Sequence, residues 1–168
     1  SGAAALVNWS IEPAQSIVLK NARQIGLAIP LFQSHGFGNL AYVKAAGEAA
    51  EGVVFPAGRL LVADSLPDSN PQKKLLVDYK RSYEARFKED VSTFGGHAYD
   101  AFLMLEAGLK AGGTSKPKAR DAIEKITGMA GTAGVFNMSA TDHCGLNQDA
   151  FEMLVVKYQR RIERLIGR

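Results

Sequence analysis

The sequence predicts an α/β fold built on a mostly parallel sheet. Through the first half, short apolar runs alternate with helix-period segments, the pattern of successive βα units. A helical middle follows, and strand-like runs return near the end. With 168 residues, 46% of them hydrophobic, the chain can bury one ordinary core.

Ala4 to Trp9 reads as a buried strand, and its position at the very start makes the chain read as beginning mid-protein. Pro13 suits a helix start, Ile17, Val18, Asn21, Ala22 and Ile25 recur at helical spacing, and Gly26 stops the helix. Ile29 to Phe32 predicts a second strand, Leu40 to Ala46 a helix closed by Gly47, and Gly52 to Phe55 a third strand. Arg59 to Ser69 has no sustained period and reads as a connection.

Asn70 before Pro71 then opens a long helix with Leu75, Leu76, Tyr79, Tyr83 and Phe87 as its apolar stripe. A second helix starts near Thr93 and carries Ala98, Ala101, Phe102, Leu105 and Leu109 on one face before Gly112 and Gly113. A third spans Lys116 to Ile126. After the glycine-rich return Gly128 to Gly134, Val135-Phe136 and Phe151 to Val156 predict strands around a polar loop. Tyr158 to Arg168 spaces Ile162, Leu165 and Ile166 helically among arginines, which predicts a short basic helix.

Charge excludes some functions. Twenty basic and 17 acidic residues are interleaved and leave a net +3, too little for a nucleic-acid surface. No apolar run reaches the roughly 20 residues of a membrane span. One cysteine, Cys144, excludes an internal disulfide and leaves the compartment open.

Motifs for catalysis or metals are weak. His143-Cys144 lacks a second close pair of ligands, and His97 with Asp100, one helical turn apart, reads as a local structural pair. His35-Gly36-Phe37-Gly38 has the look of a glycine-rich oxyanion loop, yet no Gly-x-Ser-x-Gly elbow accompanies it. Its Gly-x-Gly lacks the third glycine and downstream acid of a dinucleotide fingerprint, so no cofactor is expected.

Position is more telling than motif. Trp9-Ser10-Ile11-Glu12 follows the first strand, and Ser34-His35-Gly36-Phe37 follows the second. In open α/β sheets ligands gather at the carboxyl ends of strands, where such loops converge. Aromatic rings, hydroxyls, an imidazole and a carboxylate suit a small organic molecule with a charged end and an apolar body. These eight residues, Trp9 to Glu12 and Ser34 to Phe37, are the candidate ligand site. The alternative is that Trp9 and Phe37 are only edges of the core.

Four runs in order, Pro30 to Gly36, Ala49 to Val53, Gly96 to Ala101 and Gly131 to Asn137, resemble the distal half of branched-chain amino-acid (leucine/isoleucine/valine-type) periplasmic solute-binding proteins of ABC transporters. The resemblance implies a type I periplasmic-binding-protein fold, with two Rossmann-like lobes clamping a ligand, of which only the distal part is present. It implies residues 1–61 as second-lobe βα units, 62–132 as a helical segment returning to the first lobe, and 133–168 as a return to the second lobe with a tail. It further implies a non-enzymatic receptor in the bacterial periplasm whose partners are a small-molecule ligand and a membrane permease.

Two departures matter. Where the family commonly has an acid that pairs with a ligand ammonium, this chain has His35, which points to an aromatic or aliphatic carboxylate, with a hydrophobic amino acid retained through Glu12. The predicted C-terminal helix also departs from the family's closing strands. A ligand-sensing domain of a signalling receptor and a small hydrolase using His35 are the competing readings. Apolar helix faces left without the opening half predict self-association of the chain.

Overall fold

The computed structural model describes residues 2–157 and 161–165. The chain opens with β1 (Leu6–Asn8), α1 (Gln15–Gln24), β2 (Leu31–Gln33), α2 (Leu40–Ala46) and β3 (Val54–Ala57). β1, β2 and β3 are neighbouring parallel strands, as the βα alternation predicts. Asn39 caps α2 by accepting from the Ala41 N–H at 2.9 Å, and Gly47, at φ 64°, ends it where a side chain would be strained.

The segment read as a plain connection is a 3₁₀ turn over Arg59–Ser65. Leu60, Val62 and Ala63 supply the reason, since all three are buried. α3 (Lys73–Phe87), α4 (Thr93–Gly112) and α5 (Lys116–Ile123) make up the helical middle. Asn70 accepts from the Gln72 N–H at 2.9 Å, so it shapes the turn before α3 and does not cap the helix directly. β4 (Met129–Ala130) and β5 (Val135–Phe136) form a small separate hairpin. β6 (Glu152–Lys157) and β7 (Arg161–Arg164) then extend the main sheet antiparallel, giving the order β1-β2-β3-β6-β7.

β7 corrects the predicted C-terminal helix. Leu154 pairs with Arg164 and Val156 with Ile162, Ile162 packs on the core, and Arg164 donates to Glu152 at 3.0 and 3.1 Å. Three apolar residues are too few to separate a period of 3.6 from one of 2, and the available sheet edge decides the outcome. The rest of the predicted helix, residues 158–160 and 166–168, lies outside the described residues.

Two helix faces also differ from expectation. In α1 the buried positions are Gln15, Ser16, Leu19 and Ala22, while Ile17, Val18 and Ile25 face outward. Polar residues turn inward because they bind backbone: Gln15 Nε2 donates to Gly36 O at 3.1 Å and Ser16 Oγ to Tyr42 O at 2.8 Å. In α4 the predicted stripe of Ala98, Ala101, Phe102, Leu105 and Leu109 is exposed, and the buried face carries Gly96, Asp100 and Gly108.

The main core joins one sheet face to α1 and α2 through Leu19, Leu31, Phe37, Val43, Phe55 and Leu154. A second cluster under α3 gathers Leu60, Leu66, Leu76 and Val91, and a third surrounds the hairpin through Ala133, Phe136 and Met138. Asp100 ties α4 to the hairpin turn, accepting from the Thr132 N–H (2.6 Å), Thr132 Oγ1 (3.0 Å) and the Ala133 N–H (2.8 Å). Its partners thus lie far along the chain, whereas His97 is exposed. Arg59 and Arg164 both bind Glu152, and Arg59 also reaches Gln72, whose amide donates to Gly131 O. This network fastens the end of β3 to β6, β7 and the start of α3.

Candidate functional site

The carboxyl ends of β1 and β2 point the same way, so the loops that follow them sit side by side. Ser34 welds them: its Oγ donates to Ser10 O at 2.6 Å and accepts from the Ser10 N–H at 3.2 Å. Gly36 allows this closeness, because a Cβ there would collide with Ser10 O and Ile11. The loop's far end is held where Gly38 O accepts from both the N–H and Oγ1 of Thr93, at 3.2 and 2.9 Å.

The eight candidate residues divide into two sets. Trp9, Ile11, Glu12 and His35 are exposed at the sheet edge, and Ser10 is half-buried. Ser34 and Gly36 are buried in the weld. Phe37 corrects its assignment: it is wholly buried, with its ring edge-on to Phe55 at 5.3 Å, so it supports the loop from the core and presents nothing to a ligand. His35–Phe37 form a 3₁₀ turn, in which successive side chains point about 120° apart, so His35 can face solvent while Phe37 turns into the core.

Three aromatic residues outside the sequence-derived set complete the edge. Phe151, immediately before β6, lies 6.4 Å from His35 centroid to centroid, and Trp9 lies at the same 6.4 Å, both edge-on. β6 runs antiparallel to β3, so its start coincides with the parallel strands' carboxyl edge. Tyr42 makes a long 3.5 Å hydrogen bond to Ile11 O and meets Phe94 of α4 edge-on at 6.4 Å. Only sheet order could have revealed Phe151, because nothing local in its sequence marks it.

Ser34's hydroxyl is committed to Ser10, and the rings of Trp9 and Phe151 border His35. Among the described residues no cluster of three or more His, Cys, Asp or Glu could hold a metal. His143 contacts Glu124 at 3.0 Å, away from this edge, and Cys144 is exposed beside it. An open basin of about 840 Å³ lies elsewhere, lined by charged groups that include the Lys44–Asp90 ion pair. It shares no residue with the two loops. Among the described residues no helix is long and apolar enough to cross a membrane.

Comparison with known proteins places these features in context. The profile of a family described as periplasmic binding protein matches residues 1–159. A leucine-, isoleucine-, valine-, threonine- and alanine-binding protein of Pseudomonas aeruginosa is 26% identical over 106 residues, 63% of this chain and 26% of that protein. An extracellular ligand-binding receptor from Rhodopseudomonas palustris HaA2 superposes with a TM-score of 0.84 at 26% identity, covering 97% of this chain and 48% of that one. A solute-binding protein of an ABC transporter from R. palustris, solved with benzoate, shares the fold at a TM-score of 0.76 and 22% identity, over 96% of this chain and 42% of that one. The chain therefore spans about half the length of these solved relatives.

Proposed function

Because the chain belongs to the periplasmic binding protein family, we propose that it forms part of an extracytoplasmic receptor that captures a small organic solute and hands it to the permease of an ABC transporter. The observation that carries this reading is the convergence of the β1 and β2 loops at one sheet edge, with Trp9 and His35 open to solvent. The P. aeruginosa relative is named for amino acids and the R. palustris neighbour holds benzoate, so both ligand classes are at home on this fold.

His35 favours the acid. An imidazole donates a hydrogen bond to a carboxylate, charge-assisted when protonated, but offers no counter-charge to an ammonium. An unpaired ammonium in a closing cleft costs about 1–3 kcal/mol or more. Glu12, exposed on the neighbouring loop, is the one acid of the two loops that could serve an amino acid. The ligand proposed is thus an organic acid in preference to leucine, isoleucine or valine.

One lobe's loops supply only part of the desolvation on which such affinity depends, so binding by this chain is expected to be weaker than about 100 µM. The test is a thermal-shift screen at millimolar benzoate, phenylacetate, leucine and isoleucine. At tenfold excess over Kd a ligand adds about 1.4 kcal/mol, near 4 °C in Tm. Stabilisation by the acids, lost in His35→Glu, supports the reading. Stabilisation by the amino acids alone, indifferent to that substitution, overturns the choice of ligand.

A further inference from the structure

We propose that Phe151 contacts the ligand and sets its specificity, forming with Trp9 the walls of a slot for a flat aromatic carboxylate held by His35. This rests on the solute-binding reading and goes further by naming the residue that selects the ring.

In strand order Trp9 approaches from the β1 side of His35, and Phe151 from the β6 side. Between β2 and β6 lies β3, whose end is Ala57 followed by Gly58. The segment that carries the ring is anchored on both sides. Asn147 accepts from the Asp149 N–H at 3.0 Å, the Phe151 N–H donates to Gln148 O at 3.1 Å, and Glu152 is bound by both Arg59 and Arg164. A wall anchored on both sides is pre-organised, which reduces the entropy lost on binding.

Exposure identifies what the walls are for. Trp9 is 78% and Phe151 49% exposed, although each carries a large apolar surface. Aromatic surface left open around an imidazole suits a guest that is itself aromatic, because edge-to-face contacts at centroid separations of 4.5–7 Å add to area burial. The carboxylate would accept from His35, and the ring would meet Trp9 and Phe151. A branched aliphatic side chain gains burial only.

The chain contains one tryptophan, so the indole N–H resonance reports on this edge without ambiguity. We would titrate the intact chain with benzoate, cyclohexanecarboxylate and leucine to high millimolar concentrations, following that resonance by NMR. Benzoate should bind more tightly than cyclohexanecarboxylate. Phe151→Leu should weaken benzoate about fivefold and remove the preference, and Phe151→Tyr should restore it. Intermolecular NOEs from benzoate to the Phe151 ring protons in the unsubstituted chain give a second measurement that no folding defect can disturb. Saturable binding with no preference for benzoate, a Phe151→Leu chain that binds benzoate as before, or saturable benzoate binding without those NOEs would sink this inference while sparing the wider reading. A Trp9 signal indifferent to all three compounds would overturn both.

Discussion

Asp100 illustrates how one side chain can hold two distant segments. Asp100 is 2% exposed, and its carboxylate takes three hydrogen bonds from Thr132 and Ala133, so α4 and the β4–β5 turn share one acceptor. Asp100→Ala would strand two backbone N–H groups in the interior, and we expect a loss of about 2–4 kcal/mol in urea unfolding. A change under about 0.5 kcal/mol would mean that water replaces the carboxylate. Asp142 does the same work on the surface. Backbone N–H groups of Gly145 and Cys144 hold its pKa below the ordinary aspartate value, partly opposed by desolvation. A carboxyl with a lowered folded pKa stabilises the fold above the unfolded value of roughly 4, and that contribution disappears as pH falls through the lowered one. Protection factors of the Cys144 and Gly145 amides should therefore fall selectively below about pH 4, and Asp142→Asn should abolish that pH dependence.

At the scale of elements, periodicity located helices well and their faces poorly. α2 matches its predicted bounds, and α4 begins and ends where Thr93 and Gly112 indicate. The stripe of α4 nevertheless faces solvent, because spacing reveals that a helix has an apolar side without revealing what stands opposite it. The face that packs was legible only as glycines. A Cβ on Gly108 would lie 2.6 Å from the Ile123 side chain, and one on Gly112 would lie 2.5 Å from the Lys118 carbonyl, so α4 and α5 touch nearly backbone to backbone. Gly112→Ala should consequently cost about 1–3 kcal/mol by forcing the helices apart. That outweighs the gain of about 1 kcal/mol in helix propensity, and a stabilised variant would refute the close approach. The site follows the same logic. Its two loops were legible because a loop after a parallel strand must emerge at the carboxyl edge. The burial of Phe37 and the place of Phe151 beside His35 were not legible, because side-chain direction and sheet order are properties of the assembled sheet.

For the whole molecule, the decisive quantity is apolar surface that the described chain leaves uncovered. Phe102, Leu105 and Leu109 form one exposed stripe along α4, at 62%, 50% and 43% exposure. On the sheet, α1 and α2 cover the face of Leu31 and Phe55, while Val7 and Met153 on the opposite face remain exposed. Solved relatives of this fold are about twice as long as this chain. Burying a side chain of this size yields roughly 1.5–3 kcal/mol, which makes a stripe of three a strong drive to associate. Sedimentation velocity should therefore show concentration-dependent self-association in the micromolar to millimolar range. Phe102→Glu with Leu109→Lys should restore a monomer, because charges on the stripe must be desolvated for it to close against another copy. The same pair should leave unfolding stability within about 0.5 kcal/mol, since neither side chain supports the core of the isolated chain. A double variant that unfolds would show that the stripe is already engaged within one molecule. A wild-type chain that stays monomeric at the highest concentrations would show that α4 is covered in solution by a route that its exposed stripe does not reveal.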